Sequence, residues 1–341
     1  MDLKKQSIKV TRKRIQVTKK KNNILILGLS IILLSLTTSA TTDYLKLDKL
    51  RFSEKASAEQ IAISVDSLCR ENEFRTWNNP KELNRAGNYI YNTLSNYSNN
   101  TVKQTFSDKR NEYFNVISSF GPEDAPRLII GAHYDVCGNQ QGADDNASGV
   151  SSLIELARLL DANYIELNYR IDLVAYTLEE PPFFRSFMMG SAVHARSLKK
   201  DSVDVIGMIS LEMLGFYSEE RGSQRYPASI MKLVYPSKAN YISLVTKFGE
   251  GKFLRKVRKG LKSQSEVNVR SVSAPAKVPG IDYSDHKNYW ENGFSALMIT
   301  DTSFYRNSNY HISSDIPSTL NYNKIAGVTN GVFQLILNFN A

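Results

Sequence analysis

The sequence predicts an α/β protein with a mainly parallel central sheet and helices on both faces. Three observations predict it. From residue 127 onward, apolar strand-like runs alternate with stretches whose apolar residues recur at helical spacing, the pattern of a parallel sheet covered on both sides. Each of these strand runs gives way to a cluster of acids or histidine at its carboxyl end. In parallel sheets those ends lie on one edge, which is where ligands bind. At 341 residues the chain is long enough to bury one large core.

The elements follow in order. Residues 41–56 read as a polar linker. Ser57 with Gln60 has the form of a capping box, opening a helix that runs to about Cys69. A second helix starts in NNPKELNRAGNYIYNTL, with Asn79 as its cap and Pro80 in its first turn; Leu83, Ala86, Ile90 and Leu94 share one face. Two strand-like runs come next, VKQTFS and YFNVISSF, and Gly121-Pro122 turns the chain. The core strands are RLIIGAHY, RIDLVAYTL, VIGMISLEML and SALMITDTS. The helices between and after them are SGVSSLIELARLL, MGSAVHARSLK and NKIAGVTNGVFQLILNF. KFLRKVRKGLK, 252–262, places Phe253, Val257 and Leu261 on one face among basic residues and reads as a helix with a solvated face.

Charge is unevenly spread. The net charge is +9, yet residues 1–22 hold nine Lys and Arg against Asp2, so this tail contributes +8 and the remainder is near neutral. A basic tail of that kind does not make a nucleic-acid surface, and no nucleic-acid partner is expected. The apolar, uncharged segment 23–40 follows it. Basic residues before an apolar segment hold that end in the cytoplasm, so the rest of the chain is expected to be exported. Its unbroken core, Ile24 to Leu36, is short for a span. Thr38-Ser39-Ala40 offers a small-residue cleavage site. Two readings stay open: a membrane anchor holding the domain outside the cytoplasm, or a cleaved signal that releases it to the periplasm or medium. Cys69 and Cys137 are the only cysteines. They could pair after export, or serve as buried filler.

The strand ends carry the chemistry. The first core strand ends at His133-Tyr134-Asp135, with Asp144 and Asp145 shortly after it. The second ends at Glu179-Glu180, the third carries Glu212, and the fourth leads to His311. Acids gathered on one edge repel one another unless cations neutralise them. Two histidines and three carboxylates, one of them bridging, form a usual complement for a pair of divalent metals. Nitrogen and oxygen donors suit zinc, with manganese or cobalt by exchange.

From about residue 57 to its end the chain resembles the di-zinc aminopeptidases of the aminopeptidase S and aminopeptidase Y type. The match rests on HYD, GADDNASG, TLEE, SLEMLG and YHISSD, in that order. Carried over by position, the resemblance implies two Zn2+ ions, one on His133, Asp145 and Glu212, the other on Asp145, Glu180 and His311. It implies that Glu179 is the general base, that Asp135 orients His133, and that Tyr310 polarises the scissile carbonyl. It makes Asp144 a neighbour rather than a ligand, and the peptide after Asp145 cis. The implied substrates are peptides, cleaved from an end. Asp282, Asp285, His286, Asp301 and Arg306 fall near the site in this alignment without an assigned role.

Two departures bear on specificity. Many of these aminopeptidases have Asp where this chain has Glu212. PPFFRSFMM, between Glu180 and Gly190, is longer than in simple members; Phe183, Phe184 and Arg185 either line the mouth of the site or pack as a loop. Relatives include carboxypeptidases, glutaminyl cyclases and non-catalytic receptors. A glutaminyl cyclase would use similar ligands around one zinc with a narrow aromatic pocket. A non-catalytic relative would have lost ligands, whereas every ligand position is filled.

Overall fold

Ser57 lies where the described structure begins to pack. The computed structural model describes residues 54–108, 111–264 and 266–340; these fall within one compact unit, Lys49–Ala341. The basic tail, the apolar segment 23–40 and most of the linker lie outside the described residues. Residues 54–56, read as linker, are already tied down: Ala56 N donates to Asn330 Oδ1 at 2.8 Å. Among the described residues no helix is long and apolar enough to cross a membrane.

Helix α1 (Ala58–Leu68) opens with Ser57 Oγ accepting Gln60 N at 3.2 Å. Gln60 does not complete the box. The Ser57 N–H goes to Glu155 Oε1 at 2.6 Å, so a residue on another helix closes the cap. Helix α2 (Pro80–Ser95) buries Leu83, Ala86, Ile90 and Leu94 as one face. The Asn79 side chain does not cap it; it donates to Phe74 O at 3.2 Å instead.

Strands β1 (Thr101–Ser107), β2 (Glu112–Phe120), β3 (Arg127–His133), β4 (Arg170–Tyr176), β5 (Val205–Glu212), β6 (Tyr241–Lys247), β7 (Asn268–Ala274) and β8 (Ala296–Thr300) form one sheet. Its order is β1-β2-β4-β3-β5-β8-β6-β7. The centre, β4-β3-β5-β8, is parallel, as is β6-β7, whereas β1-β2, β2-β4 and β6-β8 are antiparallel. The fold is therefore the expected α/β domain, and its sheet has two more strands than the sequence reading found. Strand β6 interleaves Ser243 and Thr246 with its apolar residues, and β7 is half exposed, so neither gives a continuous apolar run.

Alternation along the central strands divides the core. Leu128 and Ile130 of β3, Leu173 and Ala175 of β4, Ile209 and Leu211 of β5, and Leu297 and Ile299 of β8 face one layer. That layer also holds residues of α1, α2, α3 (Gly149–Ala162), α5 (Gly251–Gln264) and α7 (Tyr322–Asn340). Ile129, Val174, Tyr176, Met208 and Met298 face the other, against α4 (Gly190–Lys200) and α6 (His286–Glu291). Successive strand side chains point to opposite faces, so each strand is buried on both sides and the sheet is held rigidly between helices. Burying each such Leu or Ile contributes about 1.5–3 kcal/mol. Phe253, Val257 and Leu261 of α5 are buried while Lys252, Arg255, Lys256, Lys259 and Lys262 are exposed, as the basic stretch predicted.

Candidate metal centre

The parallel strands deliver their ends to one edge. β3 ends at His133 and β5 at Glu212; β4 leads through Thr177 and Leu178 to Glu179-Glu180. The backbone turns through the left-handed region at Leu178 (φ 59°) after β4, at Met213 (φ 49°) after β5, and at His311 (φ 61°) in the loop that follows β8. Non-glycine residues seldom adopt that conformation and hold it only where surrounding packing imposes it. The bends aim side chains into the edge rather than along the strand.

The five expected ligands converge. His133 Nε2 lies 3.3 Å from Asp145 Oδ1, 3.5 Å from Glu212 Oε1 and 4.0 Å from Glu179 Oε2. His311 Nε2 lies 3.1 Å from Asp145 Oδ2 and 3.3 Å from Glu180 Oε1. Asp145 thus presents one oxygen to each histidine, between His133–Glu212 on one side and Glu180–His311 on the other. Its peptide to Asn146 is cis. Asp145 Oδ2 and Glu180 Oε1 are buried, and among the described residues the His311 ring is the one polar partner that approaches them. Buried polar atoms are nearly always satisfied, so these oxygens, set beside imidazole nitrogens, fit cation ligands. The donor set is nitrogen and oxygen throughout, which fits zinc.

Asp135 does more than expected. His133 Nδ1 is 3.2 Å from the Asp135 backbone carbonyl and 3.5 Å from its Oδ1. With Nδ1 donating to that carbonyl, Nε2 turns its lone pair into the site. The Asp135 carboxylate fastens the neighbouring strand end, accepting Glu179 N on Oδ1 and Glu180 N on Oδ2, both at 3.0 Å. Glu212 is held through its other oxygen, Oε2, which takes the Ser284 hydroxyl at 2.7 Å.

Asp144, beside the bridging position, faces away. It accepts Gly215 N at 2.8 Å and Asn307 Nδ2 at 2.7 Å. Two residues that sequence reasoning left without a role fix the Asp145 loop. Asp315, the last residue of YHISSD, accepts the N–H groups of Asp144 (2.8 Å) and Asp145 (3.1 Å). Buried Arg75 donates to the carbonyls of Tyr134 (2.7 Å), Leu68 (3.3 Å), Gly142 (2.7 Å) and Gln141. Asn146 Oδ1 receives Gly149 N and Met213 N, both at 3.1 Å. A Cβ on Gly149 would sit 2.4 Å from that Asn146 oxygen and 2.6 Å from Leu211 O, so only glycine fits there.

The electrostatics follow from burial and crowding. Burial, with the charges of Glu180 and Glu212, pushes Glu179 well above the carboxylate range, against the pull of His133. Burial and Asp145 push Glu180 up to about 8. Burial also opposes ionisation of Asp145, but hydrogen bonds to His133 and His311 outweigh it and hold Asp145 below its ordinary value. Burial lowers His311, yet its bonds to Asp145 and Glu180 win and raise it to about 10. Burial, then the surrounding acids, push the Tyr310 hydroxyl up, which keeps it a proton donor.

A cavity of about 430 Å³ opens beside these groups, with largely apolar walls. Tyr310 stacks on His311 (centroids 3.8 Å apart) and lines it. The PPFFRSFMM insert divides. Phe183 packs inward on Trp77 and Tyr113, whereas Phe184 and Arg185 line the cavity. Cys69 and Cys137 are both free, so the disulfide does not form. Cys137 lies within 4.8 Å of ligand atoms of Glu180 and His311. Burial and the neighbouring acids push its thiol up to about 12, which leaves no thiolate nucleophile at neutral pH.

The α/β domain thus carries histidines and carboxylates together on the carboxyl edge of its parallel strands, a donor set suited to divalent metal ions. The chain belongs to peptidase family M28, whose model matches residues 115–336. It is 42% identical over 291 residues to uncharacterized protein YfbL of Escherichia coli K12, spanning 83% of this chain and 88% of that one. It is 26% identical over 223 residues to a probable leucine aminopeptidase of Arthroderma otae, covering 62% of this chain and 52% of that protein. Among solved structures, LapB of Legionella pneumophila superposes with a TM-score of 0.66 at 20% identity, over 84% of this chain and 72% of that one. A glutaminyl cyclase of Bacteroides thetaiotaomicron gives 0.62 at 19%, over 83% and 98%. At those identities the likeness is one of fold.

Proposed function

We propose that the protein is an aminopeptidase that uses two zinc ions to hydrolyse the amino-terminal bond of peptides. The observation that carries this is Asp145, which faces His133 with one oxygen and His311 with the other while Glu212 and Glu180 complete the two sides. His133, Asp145 and Glu212 would hold one ion, and Asp145, Glu180 and His311 the other. Bound there, the ions supply Lewis acidity and bring the pKa of water toward neutrality. Glu179, buried beside both groups and on neither list of ligands, takes the proton of the attacking water and passes it to the leaving nitrogen. The Tyr310 hydroxyl donates to the developing oxyanion. A free substrate amine is attracted by the acidic floor. The basic tail and the apolar segment 23–40 support a location outside the cytoplasm, anchored at the membrane or released.

A cyclase reading would need a tight aromatic pocket for one side chain. The cavity is aromatic, lined by Phe and Tyr rather than by Trp77 or Trp290, and at about 430 Å³ is roomier than one side chain needs; the second histidine and the bridging position of Asp145 favour a pair of ions. Two variants test the assignment. Glu179→Gln should retain both metals and lose roughly 10²-fold or more in turnover. Glu180→Gln should lose one metal, with activity partly restored by added zinc. Wild-type turnover by Glu179→Gln with both metals bound would show the mechanism to be wrong.

A further inference from the structure

Two arginines that the proposed chemistry does not use line the cavity beside the acids: Arg185, and Arg225, whose Nη2 donates to the Phe304 carbonyl at 2.7 Å. Arg185 lines the same cavity as Glu179, Glu180 and His311. An unbroken series of rings runs from His311 to Phe184: His311 on Tyr310 (3.8 Å), Tyr310 on Phe304 (5.7 Å), Phe304 on Tyr283 (6.1 Å) and Tyr283 on Phe184 (6.0 Å). The Arg185 guanidinium lies over the last two rings, 5.3 Å from Phe184 and 5.4 Å from Tyr283. Stacking fixes its plane.

One guanidinium nitrogen is committed and two are not. Nη2 donates to both oxygens of Asp282, at 2.8 and 2.9 Å. Nε and Nη1 make no hydrogen bond to the described residues, and the side chain is 47% exposed. Arg185 has φ of 63°, and its backbone N–H points to Met189 Sδ at 3.1 Å, so the insert itself is bent to present this side chain. Nε–H and Nη1–H lie on different edges of the guanidinium, and each can donate a single charge-assisted hydrogen bond to a carboxylate oxygen.

The geometry points to Arg185 as a specificity residue that binds a carboxylate of the substrate while the scissile bond lies at the metal end. This rests on the hydrolase reading and sharpens it. The substrates are then peptides whose carboxylate reaches Arg185 while the scissile bond lies among the candidate ligands, and the length that meets both is read from the series below. That carboxylate is either the carboxyl terminus or an acidic side chain downstream of the cleaved bond.

The test compares di-, tri- and tetraalanine as free acids, as carboxyl-terminal amides, and as amides with Glu as the last residue. KM and kcat are measured for the metal-loaded wild type, Arg185→Gln and Arg185→Lys. Affinity for the same peptides is measured by calorimetry on Glu179→Gln protein with and without the Arg185 change. The expected result is an acid-over-amide preference at one length of about ten- to a hundred-fold, carried by KM and by affinity. It should vanish in Arg185→Gln and survive in part in Arg185→Lys. If the Glu-amide peptides match the free acids, the side-chain carboxylate is the group bound. Equal affinity for acids and amides at every length, or a preference untouched by Arg185→Gln, overturns the proposal. Binding with the expected preference but no cleavage by wild type would instead refute the hydrolase reading and leave the arginine site standing.

Discussion

Removing the metal should make this protein less stable as pH rises, and restoring it should remove the part of that dependence that its ligands carry. In the metal-free site burial and the Asp145 charge raise Glu180 from 4.5 to about 8. Burial, first of all, also raises Asp285 and Asp315 from 3.8 to about 7 and Asp301 to about 6. Acids raised in the folded state keep protons that the unfolded chain has released. The folded protein therefore binds more protons between about pH 4 and 8, and stability falls as pH climbs through that window. His311, raised to about 10, acts in the same direction: its contribution is complete below its ordinary value and is lost toward pH 10. Asp145, held low, acts the other way, but only below about pH 4. Glu180 alone carries on the order of 5 kcal/mol across its window. For a domain of this size that amounts to roughly 10 °C in Tm. Thermal melts from about pH 5 to about 8.5, with chelator and with excess zinc, measure it. The chelated protein should lose Tm steadily and the zinc-loaded protein should lose less. A chelated Tm that is flat or rising across the window would refute the electrostatic account of the site.

Gly149→Ala should cost about 1–3 kcal/mol and weaken metal binding, because its Cβ displaces Asn146 or the Leu211 carbonyl; chemical denaturation and metal titration read both effects. Arg75→Met leaves the carbonyls of Tyr134, Leu68, Gln141 and Gly142 without their donor and should cost about 3–5 kcal/mol, measured by denaturant midpoint. Removing residues 1–40 should yield a soluble, folded and active domain, since the site is assembled entirely from residues after 130; aggregation or loss of metal would contradict it.

The parallel centre of the fold was legible because β3, β4, β5 and β8 are buried on both faces, and continuous apolar runs stand out in a sequence. The convergence of the five candidate ligands was legible because a parallel sheet puts strand ends together and the motifs fix their order. β6 and β7 were not, since a strand with interleaved Ser and Thr and a half-exposed one have no such run. Nor could Arg75 be found. It precedes the helix α2 in an irregular segment, and its role consists of carbonyls supplied by 68, 134, 141 and 142. Asp315 could have been suspected: it belongs to a quoted motif, and an Asp close to a ligand histidine is suited to holding backbone N–H groups. The split of the insert depends on which way Phe183 and Phe184 turn, which spacing alone does not determine.

The way these acids are held bears on what the site is for. Among the described residues no Lys or Arg forms an ion pair with Asp135, Asp145, Glu179, Glu180 or Glu212; only His133 and His311 do. Asp135 takes backbone N–H groups and Glu212 a hydroxyl, contacts that fix position while leaving the charge uncompensated. A fold seeking only stability would have paired such buried carboxylates, because an uncompensated buried charge is costly. Arginine is available nearby, but Arg75 is spent on carbonyls and Arg185 is kept across the cavity by Asp282. Keeping fixed cations out of ion pairs with the acids leaves their attraction for mobile ones, and in the proposed reading leaves Arg185 to the substrate's carboxylate.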